Sequence, residues 1–530
     1  MMKKTSLKYY LASFMMLFAA SSCEDQLDIN DNPNSPIAAD VELVLPQAIT
    51  ASASVSSQFN SYGGHFGGFI ANAGGFSGFG NLLNYNLTPG DYNNLWTTTY
   101  HDPLQDLKYV ITSTEGDDKY AYFNAAAKIM MVVNYQRLVD AFGDIPYTEA
   151  LRADEGIVAP KYDDAATIYR DLFSKLNEAI STIDNAQFPL RLSRSTDPLF
   201  GSHNSSERPI ADQIMDWKRY ANTLKLRILI RLSSKPEFAA FISEGFAGLD
   251  ANFLTDDAIV DPGYELNRPN PQWNTWGRTI AGALSNSSRI PTTFSFAFYN
   301  GTKLSDPGRG ETIYVNFPTT PTNQLGNEVG NPTIVAGEVT WASNQPGLAG
   351  TGVLKGPAMG QPLMLLAEAR FLQAEAQLKG YLTGDYIATF YEGVKASFAY
   401  LYKDEAENLV GDPDELLQEY IDENASKRLV VIELATSEAE RLEAIITQKY
   451  IALNMVNSDE AWNEYRRTGF PATIPGGGPA FDIASRASNV QSRADKLPTR
   501  ILYPTSEQSY NPANYINVNH TSDLIFWDPN

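Results

Sequence analysis

The 530-residue sequence holds a single cysteine, Cys23. One thiol forms neither an internal disulfide nor a thiolate metal cluster, so both kinds of staple are excluded. Histidine is almost as scarce: His65, His101, His203 and His520 are the whole complement. None of them falls into HExxH or another metal-ligand spacing, and no metal site is expected. A GxSxG nucleophile elbow, a Walker loop and a GxGxxG turn are all missing. Basic residues are in deficit, with 40 Lys and Arg against 62 Asp and Glu, a net charge of −22. No run rich in Lys or Arg occurs, which excludes a nucleic-acid partner, whose phosphates need basic neutralisation. After the first two dozen residues there is no stretch of 18 apolar residues, so nothing in the body spans a membrane as a helix.

What is present begins with an address. Residues 1–22 (MMKKTSLKYYLASFMMLFAASS) place Lys3, Lys4 and Lys8 before an apolar stretch, Leu11 to Ala20, that is too short to cross a bilayer. Ala19, Ala20, Ser21 and Ser22 then lead into Cys23, and the arrangement resembles a bacterial lipoprotein signal peptide with its lipidated cysteine. Cleavage before Cys23 leaves 37 basic against 62 acidic residues on the mature chain. Such a chain is anchored to a membrane and not threaded through it. Residues 23–40 are polar, with Pro33, Pro36 and several Asn and Asp, the composition of a tether. The remaining residues, 41–530, are expected to form the ligand-binding domain. Their composition suits a packed body: 43% of the chain is hydrophobic and 12% aromatic.

A helical period dominates that body. Ile214, Trp217, Ala221, Leu224 and Ile228 form one apolar stripe, with Lys218, Arg219 and Lys225 off it. Leu365, Ala369, Leu372 and Ala376 step by four, three and four. Pro362 is placed to open that helix and Gly380 to close it. A second helix from about Asp385 carries Phe390, Val394, Ser397 and Leu401, and the pair resembles a tetratricopeptide hairpin. Further helices are expected over 120–140, 163–185 and 438–456. Residues 55–95, 255–360 and 470–515, rich in Gly, Pro, Asn and Ser, are expected to be long irregular loops. The fold class is therefore mostly α, a tetratricopeptide-like helix-pair scaffold with long loop-rich insertions.

Ordered motifs run through the whole body. They are LVDAFGDIPYTEAL (138–151), KYDDAATIY (161–169), DPLFG (197–201), WKRYANTLKLRILIRLS (217–233), AEARFLQAEAQLKG (367–380), QKYIAL (448–453), EAWNEYRRTGFP (460–471), RILYPTSEQSYNPANY (500–515) and the closing Phe526-Trp527-Asp528. In order and spacing they resemble the SusD/RagB family, closest to its SusD-like second subgroup, from about residue 23 onward. The resemblance implies four tetratricopeptide-like helix pairs and a loop-rich region carrying the ligand site. It implies a non-catalytic lipoprotein on the outer face of the outer membrane, partnered with a SusC-type TonB-dependent transporter. The ligand it implies is an oligosaccharide, or in some members a peptide, with no cofactor.

Sugar recognition calls for exposed aromatic rings against the apolar face of a pyranose, with Asn, Asp and Arg for its hydroxyls. Two segments have that composition. The stronger is GYELNRPNPQWNTWGR, where Tyr264, Arg268, Trp273, Asn274 and Trp276 are the candidate ligand contacts, with Asn267, Asn270 and Arg278 among them. The second is SYGGHFGGFIANAGGFSGFGNLLNY, from which Phe76 and Phe79 are the candidates. Its remaining rings, Tyr62, His65, Phe66, Phe69 and Tyr85, have the bland alternative of stapling a Gly-rich loop to the body. Trp96 and Tyr100, four apart, are expected in the core, and Trp341 is left open. Asp140, Gly143, Asp144, Pro146 and Tyr147 have a sufficient explanation as a helix end and turn, and Arg466 and Arg467 as ties between helices and loops. Two rival functions stand. One is a helical glycoside hydrolase lipoprotein, since carboxylate pairs are plentiful in any acidic chain. The other is a solute-binding lipoprotein for an ABC importer, which would need alternating strands and helices and does not fit the 3.6-residue period.

Overall fold

Asp40 accepts the backbone amide of Glu42 and so starts α1, Val41–Phe66. The computed structural model describes residues 39–73, 82, 84–203, 206–326, 340–343, 345–474, 478–490 and 492–529, with backbone only for 202, 203, 206 and 207. Cys23, Phe76 and Phe79 lie outside the described residues. In chain order the helices that follow are α2 (Asn93–Thr99), α3 (Gln105–Ser113), α4 (Ala121–Phe142), α5 (Ala165–Asn185), α6 (Ile210–Leu232) and α7 (Ala239–Ala247). Then come α8 (Pro271–Trp276), α9 (Thr293–Phe296), α10 (Pro307–Ile313), α11 (Leu366–Leu378), α12 (Tyr386–Tyr402), α13 (Pro413–Glu423), α14 (Glu438–Leu453), α15 (Ser458–Thr468) and α16 (Thr505–Tyr510). Strands are short and paired in twos, all antiparallel: Ile70–Asn72 with Arg289–Pro291, Ile145–Pro146 with Tyr162–Asp163, Ser202–His203 with Ser206–Glu207, and Ala258–Val260 with Gln361–Met364.

Consecutive helices pack as pairs: α3 with α4, α5 with α6, α11 with α12, and α14 with α15. Neighbouring pairs join through α4 against α5, α6 against α11 and α11 against α14. This is the tetratricopeptide-like scaffold the sequence period announces. Side-chain caps mark its starts. Asp164 takes the amide of Thr167, Asp385 those of Ile387 and Ala388, and Ser437 and Glu440 form a reciprocal capping box. Pro362 departs from expectation. It sits in a strand paired with Ala258–Val260, and the helix opens four residues later at Leu366, whose amide is taken by Asp257 at 2.8 Å.

The larger departure is α1, which runs straight into the segment expected to be a loop from residue 55. Its last turns contain Gly63 and Gly64, and a Cβ on Gly63 would lie 2.0 Å from the backbone nitrogen of Asp459. The glycines serve a backbone-to-backbone approach between α1 and the start of α15, not a turn. Around that contact Tyr62 and Phe66 meet Trp462 edge-on at 5.5 and 5.0 Å.

The centre of the scaffold is ionic as well as apolar. Arg231 on α6 meets Asp140 of α4 at 2.9 Å and also binds Glu460 of α15. Arg227 meets Glu368 at 3.3 Å, Lys449 meets Glu464 at 3.1 Å, and Arg137 meets Asp459 at 3.6 Å. Arg467 grips Glu375 with two bonds of 2.7 and 2.6 Å, while Arg466 donates to the carbonyls of Thr499 (2.9 Å) and Asp140 (2.7 Å). Burial alone would raise Glu460, but Arg231, Arg227 and Lys449 hold it down at about 2. Asp459 goes the other way: burial outweighs Arg137 and pushes it up to about 6. The chain's end closes this centre, since the indole of Trp527 donates to Asp140 at 2.8 Å. Lys225, expected off the buried stripe, is also inside, 3% exposed with its ammonium 5.3 Å over the ring of Phe173.

Candidate functional site

The segment between the strands at 258–260 and 289–291 carries most of the sequence-derived candidates. Its centre is α8, held by Asn270, whose buried side-chain oxygen accepts the amides of Gln272 (2.8 Å) and Trp273 (3.0 Å). Pro271 at the first helical position needs no such partner. Gln272 points inward and takes the amide of Asn60 on α1 at 3.1 Å, so the helix is moored to the scaffold. Trp276 is 3% exposed. Its indole donates to Ser61 at 3.2 Å and meets Trp341, itself buried, edge-on at 5.3 Å. Neither face of Trp276 is open to a ligand in this structure, because both indoles are spent on closing the loop region over α1.

Trp273 is different. It is half-buried, with Asn274 and Thr275 exposed beside it. A Cβ on Gly277 would lie 2.7 Å from its Cδ2, so one side of the indole rests on bare backbone. A flat, partly open indole next to a primary amide has the chemistry to carry a pyranose.

Tyr264 and Arg268 stand in the preceding loop. Asp261 accepts the amides of Gly263 (2.8 Å) and Tyr264 (3.3 Å), and Gly263 adopts φ +82°, which closes the turn. The exposed Arg268 bends back and donates to the carbonyls of Pro262 (3.1 Å) and Gly263 (2.8 Å). Tyr264 is 9% exposed, and burial raises its phenol well above the usual range. These two residues border cavities and are not brought to Trp273 by a shared cavity. Tyr264 lines a cavity of about 800 Å³, and Arg268 lines one of about 620 Å³. The two adjoin, sharing Arg194, Pro198, Asp261 and Gly263.

The larger cavity is lined by charge. Asp216 sits between Arg208 at 2.5 Å and Arg219 at 3.0 Å. Lys403 lies 3.3 Å from Asp256, 3.5 Å from Asp257 and 3.5 Å from Glu407. Burial pushes Asp257 up to about 6 in spite of Lys403. Sequence reading passed over every one of these groups. The signal available was the Asp256-Asp257 pair and the KDEAE run at 403–407, but acidic pairs are common in this chain and carry no geometry. A third cavity, about 590 Å³, lies beside Lys303, whose ammonium stands 4.3 Å over Phe294 and 4.7 Å over Phe298. Among the described residues no three His, Cys, Asp or Glu side chains gather so as to hold a metal ion, and no helix is long and apolar enough to cross a membrane.

In the Gly-aromatic segment, the described rings Tyr62, His65, Phe66, Phe69 and Tyr85 are all buried. His65 Nδ1 pairs with the hydroxyl of Tyr92 at 2.8 Å, and burial lowers its pKa to about 3, leaving it neutral. Trp96 is buried and Tyr100 half-buried against it, as expected of core residues.

The sequence pattern of the SusD-like family, described as starch-binding and associating with the outer membrane, matches residues 33–504. No curated protein matches the chain. Among solved structures it is similar to a chitin-binding protein, at 22% identity and TM-score 0.66, covering 92% of this chain and 99% of that one. A SusD homolog from Bacteroides uniformis aligns at 21% identity and TM-score 0.65, with the same coverages of 92% and 99%. A SusD/RagB family protein from Bacteroides thetaiotaomicron aligns at 18% identity and TM-score 0.67, again over 92% and 99%. At these identities the three structures speak for the fold.

Proposed function

The chain belongs to the SusD/RagB family, and on that premise we propose that it is a lipid-anchored nutrient-binding protein of the outer membrane that captures an oligosaccharide. In this reading residues 1–22 are the signal peptide, Cys23 is lipidated, 23–40 is the tether and 41–530 is the binding domain, facing outward. The protein binds and does not turn over its ligand. It hands the ligand to a SusC-type TonB-dependent transporter. The observation that carries the reading is the family match over residues 33–504. Trp273 gives it a local foothold: a half-buried indole against Gly277, with the exposed Asn274 alongside.

The test is a glycan array probed with the purified mature protein beside Trp273→Ala. Binding to one oligosaccharide class, weakened by at least about tenfold in the variant, supports both function and platform, since truncating an aromatic hot spot costs about 2 kcal/mol or more. Binding that survives in the variant keeps the function and moves the site toward the segment holding Phe76 and Phe79. Turnover of any bound glycan would instead favour a hydrolase. Failure to co-purify with a TonB-dependent transporter from detergent-solubilised outer membrane would count against the delivery step. A peptide in place of a glycan is the second reading within the same family, and the charged cavity gives it a specific observation.

A further inference from the structure

The third cavity, of about 590 Å³, has a lining of a different kind, much of it aliphatic. Leu304, Leu429, Leu434, Pro471, Ala472 and Ile474 all contribute to it. Leu434 is 46% exposed and Ile474 50%. Single exposed aliphatic side chains are common on any surface, but these two border the same cavity. Their backbone is held in place. Ile474 donates its amide to the carbonyl of Asp482 at 2.7 Å, and the hydroxyl of Thr473 donates to the same oxygen at 3.0 Å. Leu434 ends a 3-10 turn, Ile432–Leu434, whose first side chain is fully buried, and its amide donates to Val431 at 3.0 Å. The one aromatic residue of the lining, Phe298, is 2% exposed and lies under the ammonium of Lys303. The cavity therefore offers no open ring to a sugar face.

Five charged residues line it: Lys303, Lys427, Arg428, Glu443 and Asp482. Lys303 meets Asp482 at 3.3 Å, and Arg428 binds Glu443. Those two pairs account for four of the five. Lys427 is exposed and has no carboxylate partner among the described residues. Its backbone is fixed, the amide donating to Asn424 at 2.8 Å and the carbonyl accepting Val430 at 3.0 Å and Val431 at 2.9 Å. Aliphatic walls favour a ligand with apolar surface to bury, and an ammonium left over once the local ion pairs are counted favours an anion. A neutral sugar leaves that ammonium unanswered and sets its hydroxyls against aliphatic walls.

We infer that this cavity is a second binding site, and that it takes an aliphatic chain ending in a carboxylate, the chain against Leu434 and Ile474 and the carboxylate toward Lys427. A fatty acid has this chemistry, and so does a peptide that ends in leucine. The site does not depend on the oligosaccharide reading of Trp273, which is not part of its lining.

The experiment is calorimetric titration of the purified protein at low salt with octanoate, hexanoate and 1-octanol, and with N-acetyl-leucyl-leucine in parallel. Octanoate is expected to bind, and hexanoate to bind about tenfold more weakly, the scale of two methylenes left in water. 1-Octanol keeps the chain and drops the charge, and should bind about threefold more weakly than octanoate, the scale of one exposed ion pair. Lys427→Gln should erase that difference without altering the affinity for 1-octanol. Leu434→Ser and Ile474→Ser, both at exposed positions, should weaken octanoate and 1-octanol alike. Trp273→Ala should leave octanoate binding at the wild-type value, and Lys427→Gln should leave any glycan binding as it was, so failure of the two proposals is told apart. Tighter binding of octanoate than of the dipeptide names a fatty acid as the source of the chemistry, and the reverse names a peptide end. Absence of binding by both octanoate and the dipeptide, equal binding of octanoate and 1-octanol, or octanoate binding unchanged in all three cavity variants overturns the inference.

Discussion

Two regions of this molecule are built from the same residue types and do opposite things with them. At the centre, Arg137, Arg227, Arg231, Lys449, Arg466 and Arg467 face Asp140, Glu368, Glu375, Asp459, Glu460 and Glu464, six against six, all nearly inaccessible. The cavity beside Tyr264 is lined by four cations and six carboxylates, which range from the exposed Asp256 to the buried Asp216. Charge that is matched and desolvated ties helices together. Charge around an open cavity keeps part of its water and does less to hold the fold. Burial makes the difference, because a desolvated charge without its partner is far costlier than an exposed one.

The sharpest way to break this comparison is to remove one partner from each region. Arg231→Met leaves Asp140 and Glu460 facing one another inside the scaffold, and should cost about 3–5 kcal/mol in urea denaturation. Gly63→Ala tests the same interior through its spacing rather than its charge. With a Cβ at 2.0 Å from the Asp459 backbone, α1 must move away from α15, at a cost of about 3 kcal/mol. Asp257 lines the cavity but its side chain is itself buried, and its titration gives an intermediate effect. Its folded pKa of about 6 stands above the ordinary value, so the stability it contributes is complete below about pH 4 and is lost as pH rises to about 6. Asp257→Asn should therefore flatten the decline of the melting temperature between pH 4 and pH 7, an effect of about 3 kcal/mol at most. Glu460 has the opposite sign, stabilising above about pH 4 and failing as pH falls toward 2, so acid denaturation of the wild type should begin in the centre. The smallest effect is expected in the cavity, where Arg208→Gln should change stability by less than about 1 kcal/mol. A larger loss there would mean that the cavity's charges are structural after all.

The same contrast explains what could be read in the sequence. Helical periodicity is a property of neighbours, and α4, α5, α11, α12 and α14 lie close to where their apolar spacing puts them. The GG pair at 63–64 was misleading because glycine has two uses. A turn and a close backbone approach look alike until Asp459, almost four hundred residues away, is placed beside it. The site suffered most. Trp273 and Trp276 are three residues apart with similar neighbours, yet one is half-open and the other is sealed by Ser61 and Trp341. Nothing local separates them, since the residues that bury Trp276 come from distant parts of the chain. The charged cavity was invisible for a related reason: its lining is drawn mainly from residues 194–219, 254–264 and 403–407, and their meeting leaves no trace in any one segment.

Trp527 reaching Asp140 also sets an order of events. The indole and its acceptor are 387 positions apart. A polypeptide emerging from its amino terminus shows α4 and α6 with their buried charges long before α15 and the closing tryptophan exist. Until then Asp140 has Tyr169 and Arg231, and Glu460, the further partner of Arg231, is still to come. The centre of the scaffold is therefore completed only when the last few residues of the chain arrive.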